Sequence, residues 1–71
     1  MGVALERKPV RSSNVKSIGY DTGILEVEFI NGSVYQYRDV PEKVHTALMK
    51  ASSIGSYLAM HIKGNYRCKP L

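Results

Sequence analysis

Little in this sequence offers covalent or metal chemistry. A single cysteine, Cys68, cannot close an internal disulfide, so no covalent staple supports a chain of 71 residues. So low a cysteine count fits a reducing compartment, and the cytoplasm is the expected location. No apolar run approaches the ~20 residues of a membrane-spanning helix, so no membrane association is expected. The start, Met1-Gly2-Val3-Ala4-Leu5-Glu6, lacks a basic segment followed by a long apolar one, which argues against a secretory signal. His45, His61 and Cys68 are the only strong transition-metal ligand types, and they do not fall at zinc spacings. No metal and no cofactor are expected. Cys68 lies in a terminal segment where nothing holds it against either histidine, so it makes a poor nucleophile–base pair. Glu26 and Glu28 share one strand face about 7 Å apart. Paired carboxylates without a cleft read as a solvated sheet face, not as an acid–base site. The chain therefore reads as non-enzymatic.

What remains is one small domain, near the size at which a single core barely suffices. Its net charge of +4 is unevenly spread. Arg7, Lys8, Arg11 and Lys16 against Glu6 leave +3 over residues 1–16, and Lys63, Arg67 and Lys69 leave +3 over 63–71. The middle, 17–62, carries −2. Basic ends favour an anionic partner or serve solubility.

Residues 1–12 show no periodicity and read as a basic arm whose order is left open; residues 13–71 form the domain. Lys16, Ile18 and Tyr20 share one face of a first strand. Asp21-Thr22-Gly23 is a turn. Leu25, Val27 and Phe29 alternate with Glu26 and Glu28, the pattern of a half-buried strand. Asn31-Gly32 signals a hairpin. A two-residue loop would put Tyr35 and Tyr37 on the glutamate face. A three-residue loop, Ile30-Asn31-Gly32, pairs Val27 with Tyr35 and Leu25 with Tyr37, and gathers Leu25, Val27, Phe29, Tyr35 and Tyr37 on one face, leaving Val34 outside. Because a one-residue slip flips all side chains, the consistent register is expected. Pairing Tyr20 with Leu25 and Ile18 with Val27 extends that face.

Val40-Pro41 opens a helix, proline being tolerated in the first turn. Val44, Ala47, Leu48 and Ala51 form its apolar stripe, with Lys43, His45, Thr46 and Lys50 pointing away. Ser52-Ser53 caps a second helix that buries Ile54, Leu58 and Ile62, with Tyr57 at its flank, and ends at Gly64. The expected fold is α+β: a three-stranded antiparallel β-meander followed by two α-helices packed on one face.

These features together resemble the KTSC domain. The resemblance runs from Ser13 through Ile18, Tyr20, Leu25, Val27, Phe29 and Gly32. It continues through Tyr35, Tyr37, Val40, Pro41, Ala51, Ser53, Gly55, Ile62 and Tyr66. It implies a short stand-alone module of a family that also occurs at the C-terminus of some lysyl-tRNA synthetases, many members being bacterial or phage-borne. RNA binding is what that context suggests for the family.

Three candidate sites follow. The basic ends, Arg7, Lys8, Arg11, Lys16, Lys63, Arg67 and Lys69 with Tyr66 to stack, would bind nucleic acid if the two termini meet. Ser53, Gly55 and Ser56 at a helix start offer hydroxyls and free N–H groups to an anion, although ordinary capping, far commoner than a ligand site, is the favoured reading. Tyr35 and Tyr37 would stack on bases if exposed, but the favoured register makes them cover for the core. The leading expectation is a non-catalytic binding module for RNA or other nucleic acid. The alternative is a protein-interaction or self-association module, for example a homodimer or a phage accessory, with Ile24, Val34 and Met49 partly exposed.

Overall fold

Two tight turns set the register of the sheet in this computed structural model, which describes residues 5–71. Residues 1–4 of the expected arm lie outside the described residues. Along the chain run β1 (Lys8–Pro9), β2 (Val15–Asp21), β3 (Ile24–Phe29), β4 (Val34–Tyr37), α1 (Glu42–Lys50), α2 (Ile54–Tyr57) and β5 (Cys68–Pro70). Between β2 and β3, Thr22 and Gly23 both take positive φ, 44° and 85°. That mirror-image turn matches the right-handed twist of the strands it joins. Between β3 and β4 the loop is Ile30-Asn31-Gly32. Gly32 has φ 93°, and the Phe29 N–H donates to the Ser33 carbonyl at 2.8 Å. The register is therefore the expected one: Leu25 opposite Tyr37, Val27 opposite Tyr35, Tyr20 opposite Leu25 and Ile18 opposite Val27.

The sheet is wider than the expected three strands. Its order is β1-β2-β3-β4-β5, with every neighbouring pair antiparallel. The meander is its centre, and β1 and β5 add an edge on each side. Both additions are two or three residues long and contain a proline, so neither carries an alternation that sequence reading can detect. Residues 8–9 of the arm are thus paired strand.

A bulge corrects the first strand. Val15 stands opposite Phe29 and Ser17 opposite Glu28, leaving Lys16 as the extra residue. Val15, not Lys16, joins the core at 0% exposure. The core face holds Val15, Ile18, Leu25, Val27, Tyr37 and Val40, and the helices add Leu48, Ile54, Leu58 and Ile62.

On α1 the buried stripe is turned from the expected one. Leu48 is fully buried and Val44 and Met49 pack partly against the core, while Ala47 is exposed. His45 does not point away: its ring stacks on Tyr20 with centroids 4.6 Å apart. A flat aromatic neighbour at the sheet's end is a better surface for the helix than the small methyl of Ala47. Ser53 caps α2, its Oγ accepting from the Ser56 N–H. The helix then widens into a π-helical turn, Leu58–Ile62, closed by the Lys63 N–H donating to the Leu58 carbonyl at 2.9 Å. Gly64, at φ 83°, stops it.

The outer face of the sheet departs most from expectation. Glu26 is not solvated but fully buried, at 0% exposure. Residues 5–7 cross over it like a strap. The crossing is close: a Cβ on Gly19 would meet the Glu6 carbonyl oxygen at 2.6 Å, nearer than real Cβ contacts come. Only glycine lets that backbone lie there.

Candidate nucleic-acid interface

The strap consumes one of the expected phosphate ligands. Arg7 ion-pairs with Glu26, donates from Nε to the Ser17 Oγ at 3.1 Å, and lies 3.9 Å from Glu28. The Ser17 hydroxyl donates to Glu28 at 2.8 Å, the Gln36 amide to Glu26 at 2.8 Å, and the Leu5 N–H to Glu26 at 3.2 Å. Burial by itself pushes the Glu26 carboxyl up. The hydrogen bonds from Gln36, Leu5 and Arg7, with the charge of Arg7, outweigh it and hold the group below the ordinary 4.5. Arg7 is therefore a structural cation.

The other basic residues divide by sheet edge. Lys8 lies on β1, with Arg11 and Lys16 close by in sequence and exposed. Arg67 immediately precedes β5 and Lys69 lies on it, both exposed. With three strands between, β1 and β5 are about 19 Å apart at the usual ~4.8 Å spacing. The two basic ends do not converge. Lys63 belongs to neither group: it follows the π-helical turn, with its ammonium 5.2 Å from the Phe29 ring centroid. Tyr66 is partly buried against the core.

A cation overlooked in sequence completes the β5 group. The Arg38 N–H donates to the Arg67 carbonyl at 2.9 Å, which sets the two arginines directly opposite each other. Lys69 faces Gln36, whose amide reaches Glu26, so this row lies on the outer face. By strand alternation Arg38 and Arg67 share that face. The ion pairs among the described residues are both made by Arg7, so Arg38, Arg67 and Lys69 have no carboxylate partner there. Like charges opposite one another cost stability. The signal in sequence was the alternation itself, which puts Arg38 outside; its future partner across the ladder was invisible because β5 was.

The helix start behaves as a cap. Ser53 Oγ donates to Ser56 Oγ at 3.0 Å while accepting from the Ser56 N–H, so both hydroxyls are engaged locally. Gly55 faces the start of β2: its Cβ would sit 3.3 Å from the Asn14 amide nitrogen and 3.5 Å from the Ser12 hydroxyl. Tyr37 is buried, and its phenol is pushed up to about 12 by burial first and then by Cys68 opposite it. Tyr35 is half-buried and meets Phe29 edge to face at 5.7 Å. Neither tyrosine lies on the outer face. Among the described residues no group of three or more His, Cys, Asp or Glu side chains could hold a metal ion, and no helix is long and apolar enough to cross a membrane.

Comparison with known proteins gives one consistent result. The model of the KTSC domain matches residues 11–66. An uncharacterized protein of Stutzerimonas stutzeri is 44% identical over 55 residues, 75% of this chain and 78% of that one. A lysine–tRNA ligase of Nostoc punctiforme is 38% identical over 61 residues, 83% of this chain but 11% of the ligase. The crystal structure of a KTSC domain protein from Yersinia pestis superposes with a TM-score of 0.88 at 42% identity, covering 96% of this chain and 99% of that one.

Proposed function

The chain belongs to the KTSC domain family, and on that basis we propose that it is a small non-catalytic, cytoplasmic module that binds the phosphate backbone of RNA. The observation that carries the reading is the facing pair Arg38 and Arg67 with Lys69 beside it on one sheet face. Like-charged pairs directly across a ladder are destabilising, by up to ~1 kcal/mol. A row of phosphates would reverse the sign of that term, since each neutralised phosphate also releases counterions. The similarity to a segment of a lysine–tRNA ligase supports RNA as the polyanion.

The interface in this reading is narrower than the basic ends taken together. Lys8, Arg11 and Lys16 lie beyond the opposite side of the strap and serve long-range attraction. Self-association by edge pairing is the weaker alternative. Ladder bonds from the Val10 and Leu71 N–H groups and to the Arg67 carbonyl fix which positions on β1 and β5 point outward, and Pro9 and Pro70 occupy such positions. A proline there has no N–H to offer a second sheet.

The test is titration into fluorescent single-stranded RNA, tRNA and duplex DNA at several salt concentrations. Three phosphate contacts on single-stranded RNA predict a slope of about −2 in log K against log salt. Arg67→Glu/Lys69→Glu should abolish saturable binding, while Lys8→Glu should weaken it slightly. Equal, salt-labile binding to all three polyanions that ignores Arg67→Glu/Lys69→Glu would sink the proposal.

A further inference from the structure

A cleft of about 570 Å³ opens between the β3–β4 hairpin and the π-helical turn, away from the outer face. That size is within the range of small-molecule sites. Its lining is chemically one-sided. Phe29 and Tyr35 supply aromatic surface, Asn14, Asn31 and Ser33 supply amide and hydroxyl groups, and Lys63 supplies the single charge; no carboxylate lines it. Phe29 is half-buried although its strand neighbours Leu25 and Val27 are fully covered. The helices therefore leave this end of the apolar face open.

The Lys63 ammonium rests 5.2 Å from the centre of the Phe29 ring and has no ion-pair partner among the described residues. A cation over a ring in a partly wet site is held more weakly than one hydrogen-bonded to a phosphate oxygen. An entering anion would draw the ammonium off the ring and free a stacking surface. The wall beside it is the π-helical turn, a geometry found often at functional sites.

We infer that this cleft binds a nucleotide, its base against the Phe29–Tyr35 pair and its phosphate on Lys63. Base–aromatic stacking tolerates any base, and the surrounding amides and hydroxyls offer both donors and acceptors to a base edge. The nucleotide comes either free or as one unit of an RNA strand. This inference stands apart from the Arg38–Arg67–Lys69 face, which is on the other side of the sheet.

The experiment is amide NMR of the isotope-labelled protein with AMP, UMP, ribose 5-phosphate and short oligoadenylate. AMP is expected to shift the amides of Phe29, Asn31, Ser33 and Lys63 saturably, at least tenfold more tightly than ribose 5-phosphate. Lys63→Gln, at an exposed position, should weaken AMP tenfold or more, and Ala59→Leu, which fills the cleft wall, should abolish those shifts with the rest of the spectrum preserved. Oligoadenylate binding far tighter than AMP at the same amides makes an RNA strand the source; equal affinity makes it the free nucleotide. No saturable shift up to about 10 mM, or shifts indifferent to both substitutions, overturns the inference. RNA binding on the β5 side with no AMP shift in the cleft overturns it while leaving the proposed function standing; AMP in the cleft without RNA binding does the reverse.

Discussion

Glu26 carries its charge with no solvent exposure, so its partners decide whether it stabilises or harms the fold. Removing the carboxylate strands Arg7 and the Gln36 amide, and Glu26→Ala should cost about 2 kcal/mol in urea unfolding. Its folded pKa lies below 4.5, so the contribution is complete above that value and disappears as pH falls through the folded pKa. Thr22 shows the opposite economy. It holds φ 44° with a β-branched side chain, steadied by a 2.8 Å bond from its hydroxyl to Asp21. Left-handed backbone costs ordinary residues ~1–2 kcal/mol and asparagine less. Thr22→Asn should therefore stabilise the domain by about 0.5–1 kcal/mol, read as a melting temperature raised by roughly 4 °C. Neither residue was legible as special in sequence. Glu26 sits in ordinary alternation with Val27, and burial of its face depends on a segment some twenty residues upstream that has no pattern.

At the scale of elements, the hairpins were readable and the edges were not. Gly32 and the alternation of Leu25, Val27 and Phe29 admit one consistent register, and that register is present. The bulge at Lys16 escaped because a single inserted residue leaves no mark on a pattern only three apolar residues long. β1 and β5 escaped because pairing with a neighbour, and not their own composition, makes them strands. The strap and β1 depend on Gly19. Gly19→Ala drives a methyl toward the Glu6 carbonyl, and the expected result is a loss of about 1–3 kcal/mol. Hydrogen exchange should report faster exchange at the Leu5 and Val10 amides and at Gln36, with the helices protected as before. Unchanged protection at Leu5 would show that the backbone accommodates the methyl. The candidate site divides the same way: Arg67 and Lys69 were visible as charge, whereas the grouping of Arg38 with them needs the β4–β5 ladder.

At the scale of the whole molecule, a single sheet carries helices on one face and a peptide strap on the other, and acid acts on both faces in turn. On the helix side, burial lowers the His45 pKa below 6.5 against the opposing pull of Glu42. A base with a lowered folded pKa keeps its stability above the unfolded value and loses it as pH falls. Stability should thus decline first from near pH 6.5, as His45 charges against Tyr20, and again below 4.5, as Glu26 is protonated. His45→Phe should remove the first decline from a plot of urea midpoint against pH and leave the second. The strap has a consequence in inheritance as well. Gly19 and Glu26 answer to one short upstream segment, so their fates are tied to it. A descendant that lost residues 5–7 would leave Gly19 free to drift to a strand-favouring residue and Glu26 free to become exposed and ordinary. A descendant that kept them would hold both, and the pair would travel with Arg7 as a single heritable unit.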